Sequence, residues 1–336
     1  MRLEDFDYEL PSDRIAQVPI VPRDAARLLV DRGSSGTEHR TVGDLPELLA
    51  PGDLLVVNDT RVVPARLRLT RRTGGAAEVL LLEPADGARR TWEALVRPAR
   101  KLRAGEVLQA ATGEEIVMIG ERTAAGDTFT VELLGPVDAM ALLDQHGEMP
   151  LPPYITRRLE DPDRYQTVYA NEPGSAAAPT AGLHFTPELL TRLAASGVEH
   201  ATVELVVGLD TFQPVSEPDP LDHRMHSERY RVPADTYARC QAARRVVAVG
   251  TTAVRALETA AATGRLSGRT ELFIHRGFEW RCVDLMMTNF HLPRTTLLMM
   301  IDAFVGGRWR DLYRVALERG YRFLSFGDAM LLDRSL

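Results

Sequence analysis

Asp53-Leu54-Leu55-Val56-Val57-Asn58-Asp59-Thr60-Arg61 is the stretch on which the fold turns. Leu54 to Val57 is a short apolar run, the mark of a buried strand. Four polar residues follow it at once. Upstream, Leu28–Val30 reads as another strand, and Pro11-Ser12-Asp13 offers a cap for a short helix carrying Ile15 and Val18. Downstream the texture changes. Ala65–Leu69, Glu78–Leu82, Thr91–Val96, Val107–Ala110, Ile116–Ile119 and Phe129–Leu134 are short β-rich runs broken by turns such as Thr73-Gly74-Gly75. Strands at this spacing predict a small barrel or sandwich.

After Pro150 strands and helices alternate again. Thr186-Pro187-Glu188 is a helix start, with Leu189, Leu190 and Leu193 as its apolar face and Gly197 as its stop. Thr202–Val207, Val246–Val249, Cys282–Met286 and Arg322–Phe326 read as strands. Helices are expected over Ala253–Ala262, from the Thr295 cap to Phe304, and over Asp311–Arg319. The expected fold is therefore an α/β mixed-sheet main domain, residues 1–61 and 150–336, with an inserted all-β, barrel-like domain, residues 62–149.

Composition removes several classes. The net charge of −7 argues against a general nucleic-acid coat. No apolar run approaches the roughly 20 residues of a membrane span, and Met1–Leu10 is acidic, unlike a secretory leader. Cys240 and Cys282 form neither a Cys-x-x-Cys pair nor a metal spacing, so a reduced cytoplasmic setting is expected. Gly-x-Gly-x-x-Gly, a Walker loop, His-Glu-x-x-His and Gly-x-Ser-x-Gly are all missing from the sequence, which argues against the common dehydrogenases, nucleoside triphosphatases, zinc proteases and α/β hydrolases.

What remains is a repeated design, an apolar strand running into small and polar residues before a helix. Ligands of open α/β sheets bind at the carboxyl ends of strands. Asn58–Arg61, Pro179–Phe185, Gly250–Thr252 and Thr288–His291 fit that pattern. His184 suits proton transfer near neutral pH, or is a structural histidine bonded to a carbonyl. Gly250-Thr251-Thr252 offers helix N-terminal amides to a carboxylate, or is an ordinary cap. Arg255 and Glu258 lie on adjacent turns, placed to pair with each other or to face a ligand. His223, His226 and Glu228 form a loose cluster unlike the usual zinc patterns. No metal site is assigned. Arg66, Arg68, Arg71, Arg72, Arg97, Arg100, Lys101 and Arg103, with Arg157 and Arg158 beyond, read as a phosphate-binding patch or as solvated faces of an otherwise acidic chain.

Eight segments in chain order resemble one family. They are Asp5–Pro11, Asn58–Arg61 with Pro64-Ala65-Arg66, Gly147–Ile155, Tyr165–Ala170, Ala178–Thr186, Met225–Glu228, Val249–Thr252 with Arg255–Glu258, and Thr288–Pro293. Together, over residues 3–332, they look like the S-adenosylmethionine:tRNA ribosyltransferase-isomerases of queuosine biosynthesis. The resemblance implies that S-adenosylmethionine donates its ribosyl unit. The acceptor is a 7-aminomethyl-7-deazaguanine at the wobble position of tRNA, and the products are epoxyqueuosine-tRNA, adenine and methionine. No cofactor beyond S-adenosylmethionine as co-substrate is implied, and a monomer is expected.

The chemistry of the implied reaction and the clustering of basic residues suggest roles for particular residues. His184, His291 and Asp59 are the candidates for catalysis. Asn58, Thr180, Gly182, Phe185, Gly250, Thr251, Thr252, Arg255, Glu258 and Asn289 are the candidates for binding S-adenosylmethionine. Arg66, Arg68, Arg97, Arg100, Lys101, Arg157 and Arg158 are those for tRNA. Asp210, Arg276, Ala26 and Asp302 depart from the family's usual residues: a glycine, a nearby proline, a serine and an uncharged residue. Asp210 bears on the choice of acceptor, and a relative acting on a free 7-deazaguanine or another small amine, or binding RNA without catalysis, is the alternative.

Overall fold

The Asp53–Asn58 strand is buried along its whole length and lies at the centre of a nine-stranded mixed sheet. This is a computed structural model and describes residues 1–123, 126–207, 215, 217 and 219–336. Glu199–Leu205 pairs parallel to Asp53–Asn58 on one side and Arg245–Val249 on the other, and Leu285–Asn289 continues the parallel run. Strands covered on both faces are continuous apolar runs, which is why Leu54–Val57 shows no alternation. Ala329–Asp333 is antiparallel to Leu285–Asn289 and parallel to Arg27–Asp31, with Thr37–Thr41 at that edge. Glu228–Arg231 and Ser267–Thr270 close the other edge.

Helices cover both faces. Leu55, Val57, Val247, Val249, Leu285 and Met287 pack with Phe185, Leu189 and Leu193 on one side. The Pro187–Ala195 helix that brings those leucines is capped by Thr186 Oγ1, which accepts from Leu189 N at 3.1 Å. The helices Thr251–Thr263, Thr296–Val305 and Trp309–Glu318 carry further buried faces of this unit.

The second unit is an antiparallel barrel. Arg66–Arg71, Ala76–Pro84, Thr91–Arg97, Phe129–Leu133, Glu115–Arg122 and Val107–Gln109 pair in that order, and the last pairs back with the first. The six β-rich runs read from sequence are these six strands. Two compact units result: residues 1–60, 153–171 and 179–336, and residues 61–152 and 172–178. The segment Glu172–Ala178, read from sequence as α/β, groups with the barrel unit.

Three local readings need correction. Ser12–Arg14 is a single 3-10 turn and not a longer helix, because Ile15 bridges to Phe323 and Ala16 N donates to Phe323 O at 3.2 Å. Arg322–Phe326 is a tight turn with only a bridge at Phe323; the strand is Ala329–Asp333. Leu324 has φ +68 there, and a Cβ on Gly327 would sit 2.5 Å from Arg322 O. Pro179–Phe185 does not leave a strand of the main sheet. Its Thr180–His184 segment is a 3-10 turn, and the preceding strand, Glu172–Ser175, pairs with Thr60–Val62 in a separate two-stranded sheet.

Two of the family departures are one feature. Arg276 Nε and Nη2 donate to Asp302 Oδ2 and Oδ1 at 3.1 and 2.9 Å, and Trp309 Nε1 donates to the same Oδ1 at 3.1 Å. A carboxylate that is wholly buried in the Thr296–Val305 helix needs such a partner. The Arg276 side chain is 62% exposed, so the pair is partly screened. A double-mutant cycle of Arg276→Ala and Asp302→Asn, read by urea unfolding, should give a coupling of about 1–2 kcal/mol. Strict additivity would show the two departures to be unrelated. Asp210 lies outside the described residues.

Candidate active site

The carboxyl ends of the parallel strands deliver Asn58, Gly250 and Asn289 to one edge of the sheet. Asn58 is the end residue of its strand, fully buried, and its amide is occupied by backbone. Nδ2 donates to Leu205 O at 3.0 Å, while Oδ1 accepts from Thr60 N at 3.1 Å and Leu205 N at 3.3 Å. It fastens neighbouring strand ends, so the expected contact from Asn58 to substrate is not made available. Asp59 follows, buried, with its N–H on Val203 O and its carbonyl accepting from Asn171 N.

Asn289 is the hub of the next group. Its Oδ1 accepts from Thr180 Oγ1 at 3.1 Å, and its Nδ2 reaches both Asp328 O at 3.4 Å and His184 Nε2 at 3.1 Å. A carbonyl only accepts, so Nδ2 is the donor, His184 Nε2 is an acceptor, and the ring proton sits on Nδ1. Burial, then the charges of Arg322 and Arg23, bring His184 down to about 4. His291 Nε2 meets Thr288 Oγ1 at 3.1 Å, and burial brings that ring down to about 3. Tyr8 Oη donates to His291 O, and His291 N donates to Tyr313 Oη at 3.0 Å. Both histidines are neutral at pH 7. The His291 ring is buried against Thr288 and its backbone is held by Tyr8 and Tyr313, an arrangement that fits a packed, structural ring.

The small residues of the 3-10 turn admit neighbours more than ligand. A Cβ on Gly182 would lie 2.0 Å from Tyr169 Oη and 2.9 Å from Thr167 Cγ2. Phe185 is wholly buried in the core against the Tyr169 ring, so it presents no face to a substrate. Neither Tyr169 Oη nor Thr167 Oγ1 has a hydrogen-bond partner among the described residues. Burial first, then the charge of Asp59, pushes the Tyr169 phenol up, so it stays un-ionised. Tyr169 and Thr167 were not singled out from sequence. Their segment, Tyr165–Ala170, belonged to the resemblance, but Thr and Tyr in an apolar setting read as ordinary strand formers.

Gly250 has φ +85 and turns the chain from strand into the Thr251–Thr263 helix. An added Cβ would lie 3.5 Å from Ala181 Cβ and 3.7 Å from Thr252 Oγ1, which places the helix start beside the 3-10 turn. Thr251 and Thr252 are buried there. Arg255 and Glu258 do not pair. Arg255 Nη1 donates to Glu228, and its Nε to Leu272 O at 3.2 Å. Burial brings its guanidinium down to about 10, still charged at pH 7. Thr252 Oγ1 and Arg255 Nη2, one turn apart, have no hydrogen-bond partner among the described residues.

Glu258 is a correction to the sequence reading. Its carboxylate, fully buried, accepts from Arg281 N, Cys282 N and Val283 N at 2.9, 3.1 and 2.9 Å. It ties a loop to the helix, with both oxygens already accepting from backbone amides. Glu228, read from sequence only as part of a loose cluster with His223 and His226, is instead the buried partner of Arg255, 27 residues away in sequence. No group of three or more His, Cys, Asp and Glu suited to a metal occurs among the described residues. No described helix is long and apolar enough to cross a membrane.

The basic residues separate into two kinds. Arg66 Nη2 donates to Leu151 O at 3.3 Å, Arg68 pairs with Glu148 at 2.9 Å and Arg72 with Glu115 at 2.5 Å. Arg97, Arg100 and Lys101 in the barrel unit, and Arg157 and Arg158 in the α/β unit, are exposed, and no ion pair to them is found among the described residues.

Comparison with known proteins covers the whole chain. Residues 3–332 match the family described as queuosine biosynthesis protein. A protein of Symbiobacterium thermophilum named S-adenosylmethionine:tRNA ribosyltransferase-isomerase is 52% identical, over 99% of this chain and 100% of its own. One of the same name from Rubrobacter xylanophilus is 51% identical, over 99% and 98%. The crystal structure of S-adenosylmethionine tRNA ribosyltransferase from Thermotoga maritima superposes with a TM-score of 0.55 at 38% identity, covering 97% of this chain and 99% of that one. With a match of this extent, the chain belongs to the queuosine biosynthesis protein family.

Proposed function

We propose that the chain transfers and isomerises the ribosyl unit of S-adenosylmethionine onto the 7-aminomethyl-7-deazaguanine base at the wobble position of tRNA, releasing adenine and methionine. The observation that carries the donor site is the pair Thr252 Oγ1 and Arg255 Nη2, both buried and both without a hydrogen-bond partner among the described residues. Buried polar groups are rarely left so, because each costs about 1–3 kcal/mol. Here they flank the amino end of a 13-residue helix, whose first amides also lack intrahelical acceptors. A charged guanidinium, a hydroxyl and helix amides together suit a carboxylate, and the methionyl end of S-adenosylmethionine has one.

Thr180, Asn289 and His184 then form a hydrogen-bonded row beside that carboxylate site. In this reading His184 orients Asn289 through its Nε2 lone pair and offers Nδ1–H as a donor. Proton removal next to the sulfonium falls to Asp59, which is buried and whose charge acts on the un-ionised Tyr169 phenol. Asp210 bears on the acceptor, and the exposed cations Arg97, Arg100, Lys101, Arg157 and Arg158 suit a tRNA acceptor over a free base.

The test is direct. Incubation with S-adenosylmethionine and precursor-modified tRNA should give adenine and methionine by mass spectrometry; S-adenosylhomocysteine in their place would mean methyl transfer and would sink the proposal. Thr252→Val removes an oxygen with no protein partner, so it should leave the melting temperature unchanged or slightly higher. The KM for S-adenosylmethionine should rise on the order of tenfold, the effect of one hydrogen bond to a charged group. An unchanged KM would remove Thr252 from the site.

A further inference from the structure

Arg97–Arg103 is a short loop of the barrel unit whose backbone is held from below by two arginines. Arg71 Nη2 donates to Lys101 O at 3.0 Å, and Arg71 is itself fixed by Glu106, through Nε at 2.6 Å and Nη2 at 3.1 Å. Arg122 Nη2 donates to Ala99 O at 3.4 Å, its guanidinium seated 4.5 Å from the centre of the Phe129 ring. Leu102 is buried, and its N–H, with that of Lys101, turns back onto Pro98 O. The side chains of Arg97, Arg100 and Lys101 are left exposed on this fixed backbone, with no ion pair among the described residues. Arg103 differs, because it shares the field of Glu106 with Arg71.

Resting on the reading of tRNA as acceptor, we propose that Arg97, Arg100 and Lys101 contact the tRNA phosphate backbone, and that Arg71 and Arg122 are positioning residues that hold this loop in shape. The cations of the neighbouring strands do not share the role. Arg68 and Arg72 are each within ion-pair distance of a carboxylate, Glu148 and Glu115, so a phosphate would have to displace a partner already in place. A platform ordered before binding loses little conformational freedom on contact. Three cations meeting phosphates release counterions, which makes affinity fall steeply with salt.

Binding of a full-length tRNA transcript is to be followed by fluorescence anisotropy between about 50 and 500 mM salt, the range over which counterion release is measurable. The Arg97→Gln/Arg100→Gln/Lys101→Gln variant should flatten the plot of log affinity against log salt by about 2–3. At about 100 mM salt its affinity should drop on the order of 100-fold. Arg71→Gln should weaken binding with the wild-type slope kept, because it removes a support and no phosphate contact. Arg68→Gln/Arg72→Gln should keep the wild-type slope and affinity. A triple variant with the wild-type slope would overturn the assignment, as would an Arg68/Arg72 variant that flattens the slope equally, while leaving the tRNA reading intact. Wild-type protein that fails to bind at the lowest salt would overturn both.

Discussion

Glu258→Ala should destabilise the protein by roughly 3–5 kcal/mol, since three amides of the Arg281–Val283 loop lose their common acceptor at once. Burial pushes this carboxyl up from the usual range while the three amides pull the other way, and removing the side chain leaves the amides without solvent to replace it. Glu258→Gln, which keeps one acceptor oxygen, should lose about half as much. Urea unfolding of the two variants gives the comparison. A ligand-binding Glu258 would behave in the opposite way, with folding nearly unchanged and the KM for S-adenosylmethionine raised sharply. That pattern would restore the role first read from its spacing to Arg255.

Lowering the pH from 7 to 5 should weaken folding by about 3–4 kcal/mol in total. His184 and His291 are brought down to about 4 and 3, in each case by burial first. The unfolded chain takes up protons on these rings near pH 6.5, while the folded chain does not. Between pH 6.5 and about 4 the unfolded state therefore binds more protons, and stability falls as the pH falls. Each ring contributes about 2 kcal/mol by pH 5. His39, lowered mainly by burial, adds in the same direction. Carboxylates held below their usual range, such as Asp53 and Glu106, act only at lower pH, while Glu258, pushed up by burial, works in the opposite direction to the histidines. Denaturant midpoints at the two pH values provide the measurement. A loss under about 1 kcal/mol would mean that the rings are protonated in the folded protein, and would reopen His184 as a proton carrier.

How far the sequence reached is clearest at individual residues. Leu54–Val57 and Val246–Val249 declared their strands, because a strand buried on both faces must be apolar throughout. Thr186 and Gly197 marked the ends of one helix by chemistry that is local in sequence. Glu228–Arg231 and Ser267–Thr270 did not read as strands, since charged and small residues at a sheet edge carry no apolar pattern. The Asp138-capped helix Ala139–His146 was missed as well.

At the site, the motifs located the strand ends but misassigned what several side chains do there. Asn58, Phe185 and Glu258 were taken for ligand contacts, and they serve the fold. Their partners, Leu205, the apolar core and the Arg281–Val283 amides, are distant in sequence and leave no trace in local spacing. The same limit hid the Arg255–Glu228 pair. Arg276 and Asp302 looked like two unrelated departures until geometry joined them.

The place of Asp53–Asn58 in the sheet also bears on how the chain is made. Both its neighbours, Glu199–Leu205 and Arg245–Val249, lie far downstream. At a synthesis rate of about 5–20 residues per second, roughly 10–40 s separate Asn58 from Val249 on the ribosome. Until Leu205 is made, Leu54–Val57 has neither flanking strand, and until Val249 it still lacks one, while the barrel strands emerge and find partners close to them in sequence. An apolar strand bound for the interior of the sheet is thus left incompletely paired over that interval, and until Val249 appears the nascent chain is open to aggregation and to chaperones there.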